Sequence, residues 1–486
     1  MRNRIKELLF QNKSPRQTIA KNVFWLSFSQ LGSRLIRSFL IIYAARLLGT
    51  SEFGVFSYAL GVAGFFMTFA DIGINPLLTR NVARHPNEQH AYFSVSFFLK
   101  AFLLILTASL ILFVAPHFSK IEGAILLIPF IAILAVFDGI REFAIAFFRA
   151  KEKMELEALV SMLTNVSITV FGFWILGRSA TAHDFTISYA LSAGTGVVVA
   201  LFLLRKEFRL IFSSFQKRLL RPIIADALPT AFVSLIGMFM LNVDIMVLGW
   251  LKTASEVGFY SSGQRIVQLL YTIPAILASS IFPALSRFAG EKNTNAIQTL
   301  TEQSLTTVFM FSLPLTIGGV VLAGPIIHFL YGAGYAPATL SFQLLLGTLI
   351  LQFSWYFIGN LLFVYNKQYQ FSKYLILGSL SNIGLNLLFI PPFGAAGAAL
   401  ATVLAQFVYI LPSWRMIKRE VHFSTLRHLP RIFFSSLLTG GFAFLLTMLH
   451  LHVLIIISLS ALFYFALLYF QKEKALLIIF GLFKRV

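Results

Sequence analysis

Thr50-Ser51-Glu52-Phe53-Gly54-Val55-Phe56-Ser57 and Ala254-Ser255-Glu256-Val257-Gly258-Phe259-Tyr260-Ser261 repeat one pattern 204 residues apart. Each copy opens a long apolar stretch that closes on a proline and basic residues, Pro76 with Arg80 and Arg84, then Pro283 with Arg287. A weaker pair follows, Ala150-Lys151 and Asn366-Lys367, each at the start of another apolar run. The basic segment from Arg205 to Arg221 joins the two copies. Counting apolar runs gives six per copy, an even number, so both copies run the same way through a membrane. Parallel repeats related by an axis along the membrane normal are an architecture of transporters, with the substrate path at the repeat interface.

Composition makes a membrane the medium. The 486 residues are 58% hydrophobic and 12% charged, with a mean hydropathy of +0.81, too little charge to clothe a soluble domain. In hydrocarbon the backbone must satisfy its own hydrogen bonds, which leaves helices or closed barrels. The apolar runs are about twenty residues long, the helical length for about 30 Å of hydrocarbon, and they do not alternate as barrel strands do. Spans are expected at 22–44, 55–78, 91–115, 124–148, 157–177, 185–204, 227–250, 258–284, 303–327, 338–364, 372–391, 395–414, 431–449 and 453–470. The fold class is thus an all-α polytopic membrane protein of about 14 transmembrane helices. Two six-helix lobes, 22–204 and 227–417, are joined by the cytoplasmic linker 205–226. They are flanked by a cytoplasmic segment 1–21 and a C-terminal helix pair with tail, 418–486.

Charge orients this map. With both termini in the cytoplasm, 30 of the 39 lysines and arginines fall in cytoplasmic segments, and only Arg46, Lys120, Arg178 and Lys252 fall outside. That is the positive-inside pattern, and it accounts for the net charge of +20 without nucleic acid. Part of the excess suits anionic membrane lipids. The basic start lacks the apolar core of a cleavable signal, so the first span is expected to act as the targeting signal. There is no cysteine, which rules out thiolate metal sites and cysteine nucleophiles. No loop is long enough for a catalytic or nucleotide-binding domain, and no phosphate-loop motif occurs. No enzyme activity, metal or cofactor is expected, apart from a coupling proton or sodium ion.

Ionisable residues inside spans cost about 2.5–3.5 kcal/mol on insertion scales and mark protein-facing or hydrated positions. In the first span Ser27, Gln30, Arg34 and Arg37 recur at spacings of three and four, so they share a helical face. Either Arg34 pairs with Asp71 or Asp138 to fix packing, or this face forms the cationic wall of a hydrated cavity, which is the expectation taken. The eighth span carries a similar face, Ser261, Gln264, Arg265, Gln268 and Thr272. Lys100 either lines the cavity or snorkels inward. Arg141 can pair with either Asp138 or Glu142 on its own helix. Asp71 and Asp244 are coupling-ion sites or counter-ions, with Asn242 beside Asp244. Trp355 and Tyr356 offer rings that either stack on a sugar or pack.

Ala45-Arg46-Leu47-Leu48-Gly49 with Glu52-Phe53-Gly54, then Asp71-Ile72-Gly73 and Arg80, resembles the start of polysaccharide-biosynthesis flippases. These belong to the multidrug/oligosaccharidyl-lipid/polysaccharide exporter superfamily. Tyr365-Asn366-Lys367 and Gly394-Ala395-Ala396-Gly397-Ala398-Ala399 are similar to later family motifs. The resemblance spans roughly residues 20–417, and the last two helices resemble fourteen-helix members. It implies two lobes around a central cavity and alternating access. The implied cargo is an undecaprenyl-diphosphate-linked oligosaccharide, moved from the cytoplasmic to the periplasmic leaflet of a bacterial inner membrane. Arg34, Arg37 and Arg265 are implied to contact its diphosphate or acidic sugars. Gln30, Gln264 and Lys100 complete the candidate substrate set, with Asp71, Asp138 and Asp244 as candidate coupling or counter-ion acids. Other polysaccharide-assembly membrane proteins are expected partners. The competing expectation is a cation-coupled multidrug antiporter of the same superfamily.

Overall fold

The computed structural model describes residues 15–424 and 429–471. The basic ends of the chain and Arg427, on which part of the expected orientation rests, lie outside the described residues. The described residues are helical, without strands, and form two compact units, 1–258 and 259–486.

The first unit contains α1 (Pro15–Ala70), α2 (Ile74–Arg84), α3 (Gln89–Phe113), α4 (Ile128–Ala150), α5 (Met154–Leu176), α6 (Ala182–Leu203) and α7 (Leu220–Leu251). A continuous α1 would be about 84 Å long at 1.5 Å per residue, far beyond the hydrocarbon core. Gly49 breaks it, with φ 74° and ψ 177°, a conformation essentially reserved for glycine. The second expected span is broken again at 71–73, where Gly73 is left-handed (φ 86°) and the Asp71 carboxylate accepts the Asn75 N–H at 3.1 Å. Pro76 in the first turn of α2 offers no N–H to the carbonyl four residues back, which favours the break. The core joins α2, α3, α4, α5 and α6 through Leu78, Val82, Phe93, Phe143, Phe147, Val160 and Ala200.

The basic segment 205–226 does not divide the compact units. The second half of α1 presents glycines to α7, where an added Cβ would lie 2.8 Å from Ile245 at Gly61 and 2.9 Å from Asn242 at Gly64. Small residues that let helix backbones approach are the main packing device in lipid. The unit boundary therefore falls after Gly258, one helix later than the repeat suggests, because α7 packs on α1.

The second unit holds most of α8 (Ala254–Leu270), then α9 (Thr272–Gly290), α10 (Thr294–Val321), α11 (Ala323–Tyr331), α12 (Ala338–Val364), α13 (Gln368–Glu420), α14 (Leu429–Met448) and α15 (Val453–Phe470). The eighth expected span breaks at Tyr271, just before Pro274, as the second does before Pro76. Gly394 (φ 54°, ψ −130°) breaks α13, which separates the eleventh expected span from the twelfth. The C-terminal pair docks on α10: the Tyr464 hydroxyl donates to the Met310 carbonyl at 2.7 Å, and Ala443, Leu446 and Ile456 pack with Leu322.

The expected spans lie largely in helix, several of them interrupted by breaks. Ten stretches among the described residues are long and apolar enough to cross a membrane, two of them containing the breaks at Gly49 and Gly394. The chain is a multi-pass membrane protein. Its outward surfaces carry Phe39, Phe113 and Leu462, each about two-thirds exposed or more, as hydrocarbon requires.

The repeated motifs meet. A Cβ on Gly54 would fall 1.7 Å from the Ala254 carbonyl oxygen, and one on Gly258 would fall 2.2 Å from the Thr50 carbonyl oxygen. Thr50 corresponds to Ala254 and Gly54 to Gly258 in the repeat, so the contact is reciprocal.

Candidate functional site

Within the first unit the intramembrane charges sort into three groups. Arg141 on α4 contacts Asp138 at 2.7 Å and Glu142 at 3.3 Å, so its charge is met by acids of its own helix. Lys100 on α3 is buried, and its ammonium lies 3.8 Å from Asp71 at the break before α2. The ion-pair partners recorded for Asp71 and Asp138 are thus Lys100 and Arg141.

Arg37 is held differently. Its Nε donates to Asn165 Oδ1 on α5 at 3.1 Å. The Asn165 amide is itself fixed by donation to the Ser161 carbonyl at 2.7 Å. The guanidinium lies over the Tyr189 ring of α6 at 5.8 Å, within cation–π range. Neutral partners position this cation without cancelling its charge, which leaves it able to attract an anion. Arg34, three residues earlier on the same face, is exposed. Gln30 lies on α1 within the same helical run, and its side chain lies outside the described residues. Asp244 on α7 is buried at 2% exposure, near Asn242, whose amide abuts Gly64.

Asn165 and Tyr189 gave no signal in the sequence, where an amide and a phenol in apolar spans read as packing. Removing the Asn165 amide leaves the half-buried Arg37 Nε without that acceptor. An Asn165→Leu variant is expected to lose about 1–3 kcal/mol of stability, read as a lower unfolding temperature of the purified protein. Adding Arg37→Leu should return part of that loss.

In the second unit the polar face of α8 divides. Ser261 is buried and Thr272, beyond the break, is nearly so, while Gln264 and Arg265 are half-buried and Gln268 is exposed. The Tyr331 hydroxyl of α11 donates to the Ser262 carbonyl at 3.0 Å, which ties α11 to the middle of α8. Trp355 packs between Phe371 (4.6 Å) and Tyr409 (5.6 Å), and Tyr409 accepts from the Gln352 amide at 2.9 Å. Ring packing thus engages Trp355, which remains half-buried. His452 caps α15 and rests edge-on against Phe329 at 5.1 Å.

The family model described as polysaccharide biosynthesis protein matches residues 19–289, and the MatE model matches 229–391. The probable low-salt glycan biosynthesis flippase Agl15 of Haloferax volcanii is 24% identical, over 75% of this chain and 76% of that protein. A putative O-antigen transporter of Escherichia coli is 25% identical, over 80% of this chain and 94% of that protein. The solved lipid II flippase MurJ in its inward closed conformation has the same fold, with a TM-score of 0.74 at 19% identity, covering 93% of this chain and 99% of that one.

Proposed function

The chain belongs to the polysaccharide biosynthesis protein family, whose model spans more than half of it, and from that premise we propose that it is a flippase. It moves a polyprenyl-diphosphate-linked oligosaccharide, with undecaprenyl as the lipid, from the cytoplasmic to the periplasmic leaflet of a bacterial inner membrane. It does so by alternating access through a hydrated, cationic passage, crosses the membrane fourteen times, and keeps both termini in the cytoplasm. It performs no bond chemistry.

The observation that carries this reading is Arg37, fixed by Asn165 and Tyr189 rather than by a carboxylate. A diphosphate cannot enter hydrocarbon alone, and a guanidinium fork matches phosphate oxygens. A cation already cancelled by its own helix, like Arg141, offers little to a passing anion. Arg37 keeps its charge and is pre-oriented, so little entropy is lost when phosphate arrives. Arg34, Gln30, Arg265, Gln264 and Lys100 extend the proposed substrate set. A proton or sodium ion drives the cycle at Asp71, Asp138 or Asp244, of which Asp244 is the most buried. Other polysaccharide-assembly membrane proteins deliver or receive the cargo.

The test is deletion in the host with recovery of undecaprenyl-linked saccharides and assignment of their leaflet. A complete repeat unit should accumulate on the cytoplasmic side. Wild type should clear it, and Arg34→Ala should not, at equal protein level in the membrane. Loss of one charge-assisted contact corresponds to about tenfold or more in transport. Normal clearance by a stably inserted Arg34→Ala would remove Arg34 from the substrate set. The match to the MatE model favours one second reading, a cation-coupled multidrug antiporter. An unchanged lipid-linked pool together with ion-dependent dye efflux would select it.

A further inference from the structure

The segment between α6 and α7 has two chemically opposite sides. On one side Glu207 is buried, accepts from Lys151 Nζ at 2.7 Å and meets His90 Nδ1 at 2.6 Å. Phe208 packs edge-on against Phe97 at 5.1 Å, and the Ser94 hydroxyl donates to the Ile211 carbonyl. These contacts clamp the segment to α3 and to the turn between α4 and α5.

On the other side Arg205, Lys206 and Arg209 are exposed, and none has a carboxylate partner among the described residues. Between and beside them Leu210 is 42% and Phe212 is 81% exposed. Water alone does not suit Phe212, and hydrocarbon alone does not suit three cations. Both are satisfied where headgroups meet acyl chains, and this segment follows directly on α6, a membrane-crossing helix. Amphipathic segments with basic and aromatic residues lie in that layer, and anionic headgroups attract juxtamembrane cations.

We propose that residues 205–212 form an interfacial anchor that binds anionic phospholipid of the adjoining leaflet. Leu210 and Phe212 enter the acyl boundary, and Arg205, Lys206 and Arg209 engage phosphodiesters. Because Glu207 and Ile211 fix the inner side, lipid bound on the outer side steadies the start of α7. The proposal requires a bilayer at this segment and is independent of what the protein transports.

The chain has no cysteine, so Ser213→Cys accepts a single fluorophore on the full-length protein. The labelled protein is reconstituted in nanodiscs of phosphatidylcholine with a stated fraction of phosphatidylglycerol, one lipid at a time brominated. Quenching by each brominated lipid gives the relative association constant at the segment. Preference for phosphatidylglycerol is expected, falling about fivefold for each of Arg205→Gln, Lys206→Gln and Arg209→Gln, and falling with salt. Equal quenching by the two lipids, or a preference that survives the triple substitution and high salt, overturns anionic recognition. No quenching by either lipid overturns the anchor itself and assigns the face to a protein partner.

Discussion

Gly54→Ala and Gly258→Ala are each expected to abolish complementation and to lower the unfolding temperature of the purified protein sharply. The cause is backbone, not side-chain, crowding. The added methyl would sit 1.7 Å from the Ala254 carbonyl oxygen in the first case and 2.2 Å from the Thr50 carbonyl oxygen in the second. No rotamer change relieves contact with a carbonyl, so the helices must separate. Overpacking in ordinary cores costs about 1–3 kcal/mol, and a clash with backbone at this distance should exceed it. Gly384→Ala is the control, because nothing lies within 4 Å of its added Cβ. There the usual gain of about 0.5–1 kcal/mol from replacing a mid-helix glycine should appear. The contact is reciprocal, so one separation relieves both clashes. The double variant should therefore cost less than the sum of the singles, the non-additivity expected of coupled sites. Additive losses would mean two independent contacts.

Apolar run length places the helices, because lipid forces each crossing to satisfy its own backbone. Three of the breaks lie inside the motifs that suggested a family: Gly49, Asp71-Ile72-Gly73 and Gly394. They read in the sequence as resemblance and in the structure as backbone devices. Packing partners were not legible. The pairing of α7 with α1 depends on Gly61 and Gly64, and a glycine in a span does not announce its neighbour. It is this pairing that moves the unit boundary past the basic segment to Gly258.

The site shows the same division. Asp138 and Arg141 sit three apart on one helix, so their pairing follows from spacing. Lys100 and Asp71 sit on different elements and meet only in three dimensions. Arg37 depends on Asn165 and Tyr189 from two further helices, residues whose neutrality both hid them and gives them their use. A carboxylate at either position would have been easier to find and would have cancelled the charge.

Asp71→Asn is expected to damage the protein far more than Lys100→Met, although the two changes break the same pair. Lys100 is 2% exposed, while a third of the Asp71 side chain is exposed and accepts the Asn75 N–H. Removing the carboxylate leaves a buried ammonium without its nearest counter-ion, a loss of about 3–5 kcal/mol. Replacing the lysine by methionine removes the buried charge at similar volume. The carboxylate that remains is partly exposed and still caps α2, so its penalty is small. Asp71→Asn combined with Lys100→Met should accordingly be more stable than Asp71→Asn alone, since the second change deletes the ammonium that the first one strands. Unfolding temperatures of the three purified variants decide the order. A Lys100→Met protein that is stable and transports normally makes the pair a packing device. One that is stable yet fails to clear the lipid-linked pool places the ammonium among the groups that meet the cargo, with Asp71 holding it until a diphosphate arrives.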